Sequence, residues 1–132
     1  MRVFWPLLVC VFLVPRPMLA HHSFFAEFDE HHPVKVTGTL TRVEWENPHV
    51  WYYVDVKGAD GKVTNWGFSA NAPGQLMRRG ITKDMFRTGV LITVEGYRAK
   101  DGSNNANGQK VTFPDQQSVV TGSGGDSAAE KR

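Results

Sequence analysis

Cysteine is all but missing from this 132-residue chain: Cys10 is the only one, so no internal disulfide can staple the fold. An excess of one charge is missing too, since 15 basic side chains face 13 acidic ones for a formal net charge of +2. No apolar run is long. The longest, Val3 to Val14, reads VFWPLLVCVFLV over 12 residues, whereas a helix that spans a bilayer takes about 20. These absences exclude a disulfide scaffold and an integral membrane span. What is present, 41% apolar and 21% charged residues, is the composition of one globular domain.

The apolar run fits a different role. Arg2 gives it a positive start, Pro15-Arg16-Pro17 breaks it, and Ala20 is a small residue suited to cleavage just after it. That order is the pattern of a secretory signal peptide, here residues 1–20. Leu7-Leu8-Val9-Cys10 lacks the small residue expected before a lipidated cysteine, so the cysteine is not read as an anchor. Cleavage removes Cys10, Arg2 and Arg16, and the 15 basic side chains fall to 13, in balance with the 13 acids. A nucleic-acid binder carries a basic patch for the phosphates. None is visible, so the expectation is a neutral, soluble, periplasmic or secreted protein with no nucleic-acid partner.

Residues 21–33 form an aromatic and histidine-rich lead-in with Phe24, Phe25 and Phe28, closed by Pro33. From Val34 the text alternates as a strand does, with Val34, Val36, Gly38 and Leu40 on one parity and Thr37, Thr39, Thr41 and Val43 on the other. Glu46-Asn47-Pro48 signals a turn. Val50 to Lys57 is the clearest strand, with Val50, Tyr52, Val54 and Val56 on the core side and Trp51, Tyr53, Asp55 and Lys57 opposite. Gly58-Ala59-Asp60-Gly61 reads as a hairpin loop into a third strand, Lys62 to Phe68. Asn71-Ala72-Pro73 starts a short helix that Gly80 stops, and Thr82 caps a further turn. A fourth strand is predicted from Val90 to Tyr97, a loop from Asp101 to Gly108, and a fifth strand from Gln109 to Phe113, with Gln117 to Val120 extending the pairing. Residues 121–132 are a small, polar tail expected to be disordered.

Three strands, a short helix and two more strands are the element order of an OB-type fold. The predicted fold class is therefore mainly β, a five-stranded OB-like closed barrel over residues 34–120 with its helix between strands 3 and 4. An open sandwich or unclosed sheet is the alternative.

The runs Ala20-His21-His22-Ser23-Phe24, Ala26-Glu27-Phe28-Asp29 and Val43-Glu44-Trp45-Glu46-Asn47-Pro48-His49-Val50-Trp51 resemble a family of small exported bacterial proteins, domain of unknown function 6152. Gly61-Lys62-Val63-Thr64-Asn65-Trp66, Arg78-Arg79-Gly80 and the stretch from Val94 to Ser103 resemble it as well. The resemblance implies an exported, single-domain, mostly β protein with no established activity or cofactor. His31-His32 departs from its pattern.

Two groups of residues have chemistry to offer. If cleavage leaves His21 first, its amine and ring can chelate Cu(II), with a third nitrogen from His22, His49 or the His31-His32 pair. If Ala20 is retained, His22 becomes the third residue and can help wrap the ion in a square plane. The bland account is a solvated terminus and a histidine closing a turn. The second group is aromatic: Trp45, Trp51, Tyr53 and Trp66 offer stacking area for an extended ligand on one barrel face, or else pack beneath the lead-in. Arg78 and Arg79 can hold a carboxylate or phosphate, or simply favour the dipole at a helix end. Glu44 and Glu46 have no nucleophile or proton relay beside them, and no nucleophile-elbow pattern appears. The expectation is a non-catalytic binding or accessory module for an envelope protein or small ligand, with a copper-binding protein as the alternative.

Overall fold

The structure, a computed structural model, describes residues 26–122. The expected signal peptide, His21, His22, Phe24 and Phe25 lie outside the described residues, as does the tail from residue 123.

Among the described residues there are six strands where five were expected. β1 is Phe28–Glu44, β2 Trp51–Lys57, β3 Val63–Ser69, β4 Leu91–Ala99, β5 Asn105–Thr112 and β6 Ser118–Val120. They make one sheet in the order β3-β2-β1-β4-β5-β6, and a further pairing of β3 with β5 joins five of them into a ring. All pairings are antiparallel except β3 with β5.

β1 starts at Phe28, so the second half of the lead-in belongs to the sheet. Its 17 residues serve two partners. Residues from Phe28 to Thr39 pair with β4 and those from Thr39 to Glu44 with β2. Gly38 sits at this changeover, where a Cβ would come within 2.8 Å of both the Asp55 backbone carbon and Val54 Cγ1. A β-bulge follows: Leu40 pairs with Val54 and Arg42 with Tyr53, so Thr41 is the extra residue. The bulge reverses the parity. Val43, expected on the solvent side with Thr41, pairs with the buried Tyr52 and packs against the core, while Arg42 and Glu44 turn outward.

The β2–β3 hairpin matches its sequence. Gly61 takes φ +81°, and its N–H donates to Gly58 O at 3.0 Å. Val50, Tyr52 and Val54 are fully buried and Val56 partly so. Helix α1, Pro73–Arg78, starts with proline at its first turn and buries Pro73 and Leu76. The Gln75 side chain accepts the Ala72 N–H at 3.2 Å, and Gly80 leaves the helix with φ +77°. A 3-10 turn at Lys83–Met85 then delivers Phe86 to the core.

The predicted loop over residues 101–108 is half strand. Asn105 to Gly108 open β5, and Asn105, Ala106 and Asn107 pair with Gly67, Phe68 and Ser69 of β3. Asn and Gly disfavour strands in isolation, but small residues are what the closure requires here. A Cβ on Gly108 would run into the Tyr52 hydroxyl, and one on Gly96 into the backbone of Asn107.

The core is a relay of rings. Trp66 stacks on Phe68 (6.1 Å between centroids), Phe68 on Tyr52 (5.5 Å), Tyr52 meets Phe86 (5.4 Å), and Phe86 meets Trp45 (6.0 Å) and Phe113 (5.5 Å). A buried polar clasp lies beside Tyr52. Thr121 Oγ1 donates to Gly108 O at 2.8 Å, so the Tyr52 hydroxyl, 3.4 Å away, is the donor to Thr121. Asn71 N–H donates to Thr121 O at 2.9 Å, and Asn71 Nδ2 donates to Gly122 O at 2.5 Å. Thr121 and Gly122 are thus buried members of the fold, two residues into the segment expected as tail.

Candidate functional site

The outer face of β1, β2 and β3 is assembled by register. Arg42 pairs with Tyr53 and Tyr53 with Gly67; Glu44 pairs with Trp51 and Trp51 with Ser69; Asp55 pairs with Asn65. These positions share the face opposite Tyr52, Val54 and Phe68 because strand side chains alternate. The Trp51 and Tyr53 rings, two residues apart on β2, lie 6.4 Å apart at 21° to each other. Both are half-buried.

Polar partners fix this pair. The Arg42 guanidinium lies 4.1 Å over the Tyr53 ring. Arg42 Nη2 is 3.3 Å from Glu44 Oε1, and the Tyr53 hydroxyl donates to Glu44 Oε2 at 3.3 Å. Thr41, the bulge residue, donates from Oγ1 to Tyr53 O at 3.2 Å. Next to them Asn65 Nδ2 donates to Asp55 Oδ1 at 2.7 Å. On the β3 side, Gly67 lets a neighbour come close: a Cβ there would be 2.7 Å from Asn105 Oδ1 and 3.2 Å from Tyr53 Cε1. Tyr53 is therefore bracketed by Arg42 on one flank and by the Asn105 amide, across Gly67, on the other. Arg42 and Lys57 balance Glu44 and Asp55, so the face carries no excess charge.

The four aromatic residues expected to act together are divided. Trp51 and Tyr53 share the outer face, but Trp45 and Trp66 do not join them. Trp66 pairs with Val54 and so falls on the core side, where it stacks on Phe68 and takes the Arg98 guanidinium 5.4 Å from its ring. Trp45 packs on Phe86 at the opposite end of the ring relay. Arg78 and Arg79 sit at the end of α1, outside this face. Arg79 Nη1 donates to Val120 O at 3.5 Å, so it helps hold β6.

The described histidines have polar partners of their own. His49, half-buried, has Nδ1 3.0 Å from Ala70 O. A carbonyl only accepts, so Nδ1 carries the proton and the Nε2 lone pair is left available in the neutral ring. His32 Nδ1 lies 2.6 Å from Asp29 Oδ2, and this bond together with the His31 N–H holds the Asp29 carboxyl below its ordinary pKa. Among the described residues no three His, Cys, Asp or Glu side chains group as a metal site. No described helix is long and apolar enough to cross a membrane.

Sequence reasoning missed Arg42, Asn65 and Asn105. Arg42 is legible only once the bulge at Thr41 is known, because strict alternation from Val34 puts it with Leu40 on the core side.

A family model described as a family of unknown function (DUF6152) matches residues 9–110. No curated protein matches the sequence significantly. Among solved structures, the mitochondrial single-stranded DNA binding protein Rim1 of S. cerevisiae is similar at 13% identity, over 62% of this chain and 92% of that one, with a TM-score of 0.49.

Proposed function

The chain belongs to the family of unknown function (DUF6152), and for this member we propose an exported, non-catalytic binding or accessory module of the cell envelope, built as an OB-like barrel. Export rests on the pattern of residues 1–20, a short basic start and a 12-residue apolar run before Ala20. The barrel reading is supported by the ring of five strands with a helix between β3 and β4. OB folds bind along the face of their second and third strands, and that face is where the rings lie.

The single observation that carries the binding role is the Trp51–Tyr53 pair. Two large rings stand on the face away from the core, parallel and oriented by Arg42, Glu44 and Thr41. Burying such area yields about 25 cal/mol per Å² on contact with a ligand, and ordering the rings beforehand lowers the entropic cost of binding. The one acidic side chain among them, Glu44, is engaged by Arg42 and the Tyr53 hydroxyl, which suits a positioning use rather than proton transfer. The same balanced charge argues against a phosphate backbone as partner.

A screen by intrinsic fluorescence tests this. The processed chain is titrated with neutral and acidic oligosaccharides, peptides and oligothymidylate, beside a Trp51→Ala/Tyr53→Ala double variant. A ligand that shifts emission of the parent chain and not of the double variant supports the role. Silence across the panel, or a response that survives in the double variant, overturns it.

A second reading keeps copper. His49 has its Nδ1–H held by Ala70 O, the arrangement by which backbone carbonyls orient metal-binding imidazoles. In this reading His49 Nε2 and the new terminus at His21-His22 share one Cu(II). Titration of Cu(II) into the processed chain and into His49→Gln distinguishes them: equal affinity in both removes His49 from the site.

A further inference from the structure

We propose that the ligand of the Trp51–Tyr53 face is an uncharged glycan, a run of sugar rings with free hydroxyls; this rests on the binding role given above. Three observations select that chemistry. The first is the rings, two nearly parallel planes along one strand, 6.4 Å apart, with Arg42 already covering one face of Tyr53. A pyranose presents a flat C–H face to such a plane while its hydroxyls point sideways, so stacking and hydrogen bonding are met at once.

The second is the rim. Glu44 and Asp55 carboxylates and the Asn65 and Asn105 amides surround the rings on four strands. Glu44 already takes the Tyr53 hydroxyl and the Arg42 guanidinium, and Asp55 takes Asn65, while an ionised carboxylate has about four acceptor sites. Spare acceptors beside amides that both donate and accept suit hydroxyl groups, which also do both. Asn105 Nδ2 is bonded to Ser103 Oγ at 3.2 Å, which points its carbonyl across Gly67 toward Tyr53.

The third is charge. Arg42 is spent on Glu44 and on the Tyr53 ring, and Lys57 is offset by Asp55. A phosphate or uronate polymer would find no surplus cation to displace its counterions. A proline-rich peptide would use the rings but leave the carboxylate rim without donors.

The test is isothermal titration of the processed chain with cellohexaose and N-acetylchitohexaose, against polygalacturonate fragments, a twelve-residue oligothymidylate and a proline-rich peptide. A neutral hexasaccharide is expected to bind with an affinity that changes less than about twofold between 50 and 500 mM NaCl, because no ion pair is made. Trp51→Ala is expected to weaken it by about tenfold, and Trp51→Phe, which keeps a ring, by less; thermal midpoints of both variants confirm that they fold. No binding of either neutral hexasaccharide overturns the proposal. So does a preference for a charged polymer or the peptide; if that preference still depends on Trp51, the face stands and only the ligand class falls. A ligand bound equally by Trp51→Ala and Tyr53→Ala removes the face itself.

Discussion

Closing the ring depends on β4 and β5 coming together at Gly96 and Gly108, and replacing Gly96 by alanine tests that closure. The added Cβ would press into the Asn107 carbonyl and lie 2.9 Å from the Asn107 carbonyl carbon and 3.3 Å from Gly108 Cα. All three are backbone atoms of β5, which cannot swing aside as a flexible side chain would. Overpacking of this kind costs about 1–3 kcal/mol. For a domain of this size each kcal/mol moves the midpoint by roughly 4–8 °C, so Gly96→Ala is expected to lower it by about 4–24 °C. Gly74→Ala is the matched control. Gly74 is inside α1, and the nearest atom to its added Cβ is Arg78 Nη1 at an ordinary 3.8 Å. Alanine loses less chain entropy than glycine on folding, so this change is expected to stabilise by about 0.4–1 kcal/mol. Thermal unfolding followed by circular dichroism measures both. A Gly96→Ala midpoint within 1 °C of the parent chain, or one displaced upward with Gly74→Ala, would refute the close approach of these strands.

Two further predictions concern titrating groups. Burial pushes the Tyr52 phenol up. A raised pKa for an acid contributes stability in full below the unfolded value of about 10 and loses it as pH rises beyond, so the parent chain should lose stability above about pH 10 more steeply than Tyr52→Phe, measured by urea unfolding across pH 8–11. Conversely, the Asp29 carboxyl is held low by His32 and by the His31 N–H; its stabilising effect is present above the ordinary aspartate range and fades as pH falls through the lowered value. Carboxyl-carbon NMR should show Asp29 titrating below a solvated aspartate, and His32→Ala should move it upward.

Alternation made much of the fold legible. Val50, Tyr52 and Val54 are the most regular period-two stretch in the chain, and they form the centre of the core. Pro73 and Gly80 mark the helix ends because a fixed φ and a positive φ are local properties. What failed to show was non-local. The bulge at Thr41 leaves no compositional trace, yet it inverts the assignments after it on β1 and hides Arg42 from a reading by parity. Asn105 to Gly108 read as loop because their own preferences point that way, and only the nearness of Phe68 and Tyr52 makes small residues fit a strand. The aromatic site was half legible for the same reason: Trp51 and Tyr53 share a parity on one strand, whereas the place of Trp66 depends on its register against Val54.

The most direct test of the outer face is a tryptophan that reports from it alone. In a processed chain carrying Trp45→Phe and Trp66→Phe, Trp51 is the sole tryptophan; in a second, carrying Trp45→Phe and Trp51→Phe, Trp66 is. Titrated with the neutral hexasaccharide, Trp51 emission is expected to shift to shorter wavelength and saturate while Trp66 emission stays constant. A saturating shift at Trp66 with none at Trp51 would contradict the account.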